Sequence, residues 1–503
     1  MGQHETESAE NAGGARDVEV AAPPADAAEP TPPRPGRAAS RAVLALACTA
    51  QFMVVLDVSV VNVALPSIRS ALGFDPDTLP WVVNAYALAL ACFLLLGGRL
   101  ADLCGRRRVL VWGLALFGGA SLVGGLATTP GTLIAARVGQ GLGAAILAPV
   151  SLTLLTTTFP EGPDRTRALA TWTAVGVAGG TAGNLVGGVL TQSLSWRWVL
   201  LVNVPIGVVA LALTTRLPRD RERPRGRRLD VPGAVLATAG LAALSHGITQ
   251  TRTRGWTDPV TVTALAVGIF ALLAFVVVES WFARAPLVPP RLARVRAIAV
   301  GNLATALAGA CLNPMWYFLT LLMQGELHYG PLWTGLGFLP HTVVAVVAGA
   351  RLTPWAMARV DSRNLVALGA LVAAAGFLWQ SRTASSDGYL AGILGPAVVI
   401  SVGSGLLNTP LTAAVTSGAD PSDAGVVAGL MNTSKQVGGA LGLAVLVAVA
   451  GSTGPDTPES AVDHGRAFLV IAGTLVAVAA ISLALPRTRV TRRESGTTPA
   501  GKG

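Results

Sequence analysis

Gly98-Arg-Leu-Ala-Asp-Leu-Cys-Gly-Arg-Arg-Arg-Val-Leu110 is a short charged connector between two long apolar runs, residues 80–98 and 109–128. A run of that length and composition reads as a membrane crossing, because a helix of about 20 apolar residues satisfies its own backbone across the hydrocarbon core. Two glycines, a carboxylate and an arginine cluster at fixed spacing exceed what a plain connector needs. Gly98 and Gly105 let two helices approach, and Asp102 can hold Arg106 or a helix end in one conformation. The expectation is a latch at one end of the bundle.

Outward from this connector the chain repeats the pattern. Apolar runs fall near 42–66, 80–98, 109–128, 131–155, 168–190, 197–217, 231–249, 260–282, 297–323, 333–356, 363–381, 390–416, 424–450 and 465–485. The chain is 52% hydrophobic and only 13% charged, with mean hydropathy +0.57. Soluble domains carry roughly 25% charge. The predicted fold is therefore an all-α polytopic membrane protein of 14 spans.

The net charge of +10 is distributed by topology. Arg34, Arg37 and Arg41, Arg106 to Arg108, Arg165 and Arg167, the seven arginines from Arg216 to Arg228, and Arg284 to Arg296 alternate with segments holding isolated cases such as Arg69, Arg197 and Arg382. Arg359, Arg363 and Arg487 to Arg493 complete the rich set. This is the positive-inside pattern with both termini cytoplasmic. It argues against nucleic acid as a partner and leaves membrane lipids a secondary role. The expected organisation is a disordered tail over 1–40, a six-helix bundle over 41–217, a basic linker over 218–230, a central helix pair over 231–283, a second six-helix bundle over 284–486 and a tail over 487–503. Gly141 and Gly143 with Pro149 are echoed by Gly403 and Gly405 with Pro410, as parallel transporter halves would be.

Asp57 lies past the middle of the first span. A charged residue near the bilayer centre costs about 2.5–3.5 kcal/mol on insertion scales, so such a carboxylate reads as a proton- or cation-handling group, or as one capped by a neighbouring helix. Arg137 in the fourth span is its expected partner. The two lie about three residues apart in depth, or roughly 5 Å at 1.5 Å per residue, and Gln140 shares the face of Arg137. Lys435, near the middle of the thirteenth span, needs a partner or a watery cavity and is read equally as functional or as packing glue. Gly183, Gly187 and Gly188 make small-residue spacings on the fifth span, fit for packing or gating. His341 is a titratable group inside the tenth span.

Other chemistries find no support. Neither Lys435 nor Lys502 sits in a phosphate-cradling loop, so ATP is not expected. The five histidines show no metal-ligand spacing, and Cys48, Cys92, Cys104 and Cys311 imply no disulfide framework. No cofactor, metal or enzymatic activity is expected.

These residues resemble the major facilitator superfamily, in its fourteen-span drug:proton antiporter branch. Leu56 to Pro66 (LDVSVVNVALP) resembles that branch's first-helix motif, and the Gly98 connector resembles the superfamily's loop motif. Arg137 to Ala145 (RVGQGLGAA) resembles the fourth-helix motif, whose arginine is implicated in proton coupling. Trp196 to Gly207 (WRWVLLVNVPIG) is also similar to this branch. The chain departs from it at Asn184, where the fifth-helix motif has proline, and at Lys435, where arginine is usual. The resemblance implies two six-helix bundles plus two central helices, alternating access, and export of a lipophilic drug or antibiotic against protons from the bacterial inner membrane. It implies coupling by Asp57 and Arg137, and a cavity with Asn62, Gln140, Asn313, Trp316, Tyr317 and Asn408 as candidates. The lack of further deep carboxylates implies a monovalent-cationic or weakly basic cargo. The alternative, kept open by Asn184, is a proton-coupled symporter importing a small organic nutrient.

Overall fold

In a computed structural model of the chain, the described residues are 37–75, 77–159, 163–217, 231–282, 290–383, 388–416, 424–451 and 463–487. The helices are α1 Arg37–Leu72, α2 Trp81–Cys104, α3 Arg106–Gly125, α4 Pro130–Thr158, α5 Pro163–Ser193, α6 Trp198–Thr214 and α7 Val231–Arg254. They continue with α8 Pro259–Trp281, α9 Arg296–Glu326, α10 Pro331–Met357, α11 Ser362–Gln380, α12 Leu390–Thr416, α13 Ala424–Ala450 and α14 His464–Ser482. Each coincides with one expected run. Eleven of them are, over the described residues, long and apolar enough to cross a membrane. α7 carries Thr238, Ser245, His246, Thr249 and Gln250 along its length. The linker 218–230, residues 1–36 and the tail from 488 lie outside the described residues.

The helix starts follow from local chemistry. Thr129 caps α4, accepting from the Thr132 amide at 3.3 Å, and Asp258 caps α8 through the Val260 amide at 2.9 Å. Each is followed by a proline at the first helical position, where no intrahelical donor is lost. Between α2 and α3, Gly105 adopts φ 90°, a conformation that side chains with a Cβ rarely take. That glycine makes the sharp turn of the connector.

α1 packs on α5 and α4, and α4 also on α2 and α3. Further along the chain, α9 packs on α13, and α11 on α12 and α14. α2 meets α13, α5 meets α10, and α7 lies against α8, α2 and α13. Small residues bring the backbones close. A Cβ built on Gly141 would lie 2.5 Å from the Tyr86 carbonyl oxygen, and one on Gly183 would lie 2.6 Å from Ser59 Cβ. α8 turns outward instead, with Phe270 and Trp281 exposed, as a lipid-facing surface requires.

Candidate functional site: a buried ion pair on the wall of a central cavity

Asp57 is fully buried in α1. Its Oδ2 accepts from Arg137 Nη1 at 2.5 Å, and its Oδ1 accepts from Gln140 Nε2 at 2.8 Å and from Asn203 Nδ2 at 2.9 Å. Three helices, α1, α4 and α6, thus meet at one carboxylate. Arg137 is held further: its Nε donates to the Val82 carbonyl at 2.8 Å and its Nη1 to Gln140 Oε1 at 2.8 Å. The Tyr86 ring lies 4.4 Å from the guanidinium carbon. Gln140 also meets Ser121 at 2.8 Å. Such a pair is tolerated in an apolar interior only when hydrogen bonds saturate it, and this one is close to saturated.

The site lines a cavity of about 1130 Å³, larger than most pockets for drug-sized molecules. Its wall includes Asn62, Asn84, Tyr86, Arg137, Asn184, Asn313, Trp316, Tyr317, Lys435 and Gln436, among many apolar groups of α1 and α2. It extends toward Gly98, Thr153, Trp172 and Val426 at one end of the bundle. At the other end the helices close. Gly188 lies against the backbone of Pro331 and Leu332, Gln192 Oε1 accepts from the Leu332 amide at 3.1 Å, and Gln324 Nε2 donates to the Val63 carbonyl at 2.8 Å.

The expected residues distribute unevenly over this site. Asp57, Arg137 and Gln140 form one network, while Asn62, Asn313, Trp316, Tyr317 and Lys435 line the cavity. Asn408 does not line it: the residue is exposed and its amide donates back to the Ser404 carbonyl of its own helix at 3.0 Å. Gly183 and Gly187 pack on Ser59 and Val60 of α1, and Asn184 reaches the cavity between them. Gly98 lines the cavity mouth and Arg106 opens α3, whereas the Asp102 side chain lies outside the described residues. His341 is buried 4.8 Å from the Trp316 ring. Asn203, Tyr86 and Ser121 are site residues that the sequence reading did not single out. Asn203 carried a signal, as a polar residue within the apolar run after Trp196.

Residues 47–443 match the profile of the Major Facilitator Superfamily. The chain belongs to that superfamily. It is 56% identical over 446 residues to the cephamycin export protein CmcT of Amycolatopsis lactamdurans, covering 88% of this chain and 92% of that protein. It is 39% identical over 453 residues to the puromycin resistance protein pur8 of Streptomyces alboniger, covering 90% and 88% of the two chains. Among solved structures it resembles an auto-inhibited peptide transporter of the POT family, with TM-score 0.66 at 16% identity, covering 88% of this chain and 96% of that one. It also resembles the inward-open xylose transporter XylE of E. coli, with TM-score 0.61 at 12% identity, covering 90% and 98%. These structural likenesses establish the fold. Membership of the superfamily makes the chain a multi-span membrane transporter rather than an enzyme, and its close relatives export antibiotics or confer resistance to them.

Proposed function

We propose that the chain exports a lipophilic antibiotic from the bacterial cell in exchange for protons. The carrying observation is the position of the Asp57–Arg137 pair, buried at a three-helix junction with Arg137 on the cavity wall. An ionised Asp57 accepts three hydrogen bonds and neutralises Arg137. A protonated Asp57 gives up the charge and part of that accepting capacity, so the guanidinium loses its counter-ion and the contacts joining α1, α4 and α6 re-sort. Two discrete packings biased by one proton are what alternating access requires.

The arginine asymmetry supports fourteen crossings with both termini cytoplasmic. In that orientation the cavity opens toward the cytoplasm, and the Leu332 end is the closed outer face. Amphipathic molecules would enter from the cytoplasm or inner leaflet and leave when the outer contacts part. Gly98, Gly105 and the arginines from Arg106 would re-form a latch at the inner face. The cephamycin-exporting relative, together with the puromycin-resistance relative, supports the outward direction.

The test is antibiotic susceptibility in an efflux-deficient bacterial host, comparing the parent with Asp57→Asn at matched membrane abundance. The parent should raise resistance to some lipophilic antibiotics, and Asp57→Asn or collapse of the proton gradient should abolish the gain. Equal resistance from both proteins would remove Asp57 from the mechanism.

A further inference from the structure

Once Asp57 and Arg137 neutralise each other, the described cavity wall retains one formal charge, Lys435. No aspartate or glutamate lines the cavity among the described residues. The Lys435 side chain is exposed to that space and makes no hydrogen bond or ion pair with any described residue. Its backbone, by contrast, is clamped. A Cβ on Gly309 of α9 would lie 3.1 Å from Lys435 Cα, and Asn313 Nδ2 lies 3.5 Å from the Lys435 carbonyl oxygen and 3.4 Å from Gln436 Oε1. A rigid platform therefore presents a flexible ammonium to the cavity.

An ammonium at this depth needs a counter-charge, from a protein carboxylate or from a ligand. The described wall supplies none. A cationic cargo would meet Lys435 as a like charge with no acid to offset it. An anionic cargo would complete the pair. Asn313, Asn432 and Gln436 offer amides beside that end, and Trp316 with the valines of α1 offers an apolar surface for the rest of the molecule. Lysine is a compact point charge without the fixed fork of arginine, so it accepts carboxylates carried on bodies of varied shape.

We propose that Lys435 is the anchor for an anionic group, so that the exported compound is a monoanionic amphiphile rather than a cation. This assignment rests on the export reading above. It replaces the weakly basic cargo expected from the sequence.

The test uses purified protein in proteoliposomes with an imposed pH gradient, comparing two dyes: monoanionic anilinonaphthalene sulfonate and monocationic ethidium. Dye binding in detergent is measured in parallel, as a readout independent of transport. The parent should bind and move the anionic dye in preference to ethidium. Lys435→Gln should weaken anionic binding about ten- to hundredfold, the loss of a hydrogen bond to a charged group. Lys435→Arg should restore most of it, and Lys435→Glu should turn the preference toward ethidium. Antibiotic resistance with ethidium transport, no anionic transport and indifference of both to Lys435→Gln would overturn the anchor while leaving export intact. Transport of neither dye together with no antibiotic resistance would overturn both. Equal anionic binding by the parent and Lys435→Gln would overturn the anchor alone.

Discussion

Asn203 of α6 donates its side-chain amide to Asp57 of α1 across 146 residues of sequence, at 2.9 Å. This bond makes α6 the third support of the buried carboxylate, alongside the Arg137 and Gln140 bonds from α4. Asn203→Ala removes a donor to a charged acceptor, a change that costs about 1.5–3 kcal/mol. It should lower antibiotic export several-fold while the protein still reaches the membrane. Unchanged export by Asn203→Ala, measured in energised vesicles, would show that α6 only packs there.

The ion pair itself predicts a non-additive pattern. Asp57→Asn leaves the Arg137 guanidinium buried without a counter-charge, and an orphaned buried ion costs about 3–5 kcal/mol. Thermal unfolding in detergent should fall sharply for Asp57→Asn. Adding Arg137→Gln should recover at least half of that loss, because the uncompensated charge is gone, yet transport should stay absent in both variants. Additive destabilisation in this cycle would mean that the two residues do not stabilise each other.

The parts of the site legible in the sequence were its charges. Asp57, Arg137 and Lys435 stand out because an ionisable group in an apolar run carries a cost that demands a reason, and helical rise alone placed the first two at compatible depths. Asn203 was only faintly legible as a polar residue in an apolar run, since an uncharged amide in a span costs less than a charge and its partner lies on a distant helix. Asn408 shows the complementary failure: sequence places a polar residue in a span but not its target, and here the amide satisfies its own helix at Ser404. The fold was legible for a simpler reason. Apolar run length is set by bilayer thickness, and every expected run is occupied by a helix.

Close approach of α5 to α1 predicts a graded response to glycine substitution. A methyl on Gly183 would meet Ser59 Cβ at 2.6 Å, and one on Gly187 would meet the Val60 carbonyl oxygen at 2.7 Å. Either must push the helices apart, at about 1–3 kcal/mol for overpacking. Gly119 on α3 has nothing within 4 Å of the added atom. Gly183→Ala and Gly187→Ala should therefore lower thermal stability and transport together, with Gly119→Ala close to the parent. Parity among all three would mean that α1 and α5 are not closely apposed in the membrane.

Closure at the Leu332 end predicts a reversible lock. Gln192 and Leu332 are joined by a 3.1 Å hydrogen bond from α5 to α10. In a background with Cys48, Cys92, Cys104 and Cys311 replaced, Gln192→Cys with Leu332→Cys should be bridged by a short thiol-reactive linker. Bridging should stop export by holding that face shut, and cleavage of the linker should restore it. Export continuing at full rate in the bridged protein would mean that this contact does not open during the cycle.

The charge of the cargo sets the response to membrane potential. One proton entering for each monoanion leaving moves two charges in the same sense, whereas one proton for a monocation moves none. Each charge is worth about 2.3 kcal/mol per 100 mV, so an inside-negative potential of that size should add about 4.6 kcal/mol to the driving force for an anion. With Lys435 as the anchor, the loaded cavity crosses as a neutral pair and the empty one returns with a free ammonium. The potential should then act most strongly on the unloaded return step. At a fixed pH gradient, a potassium diffusion potential imposed with valinomycin should deepen the steady-state extrusion of an anionic dye in the parent. An extrusion level indifferent to that potential would mean that the anion does not leave in one-for-one exchange with an entering proton.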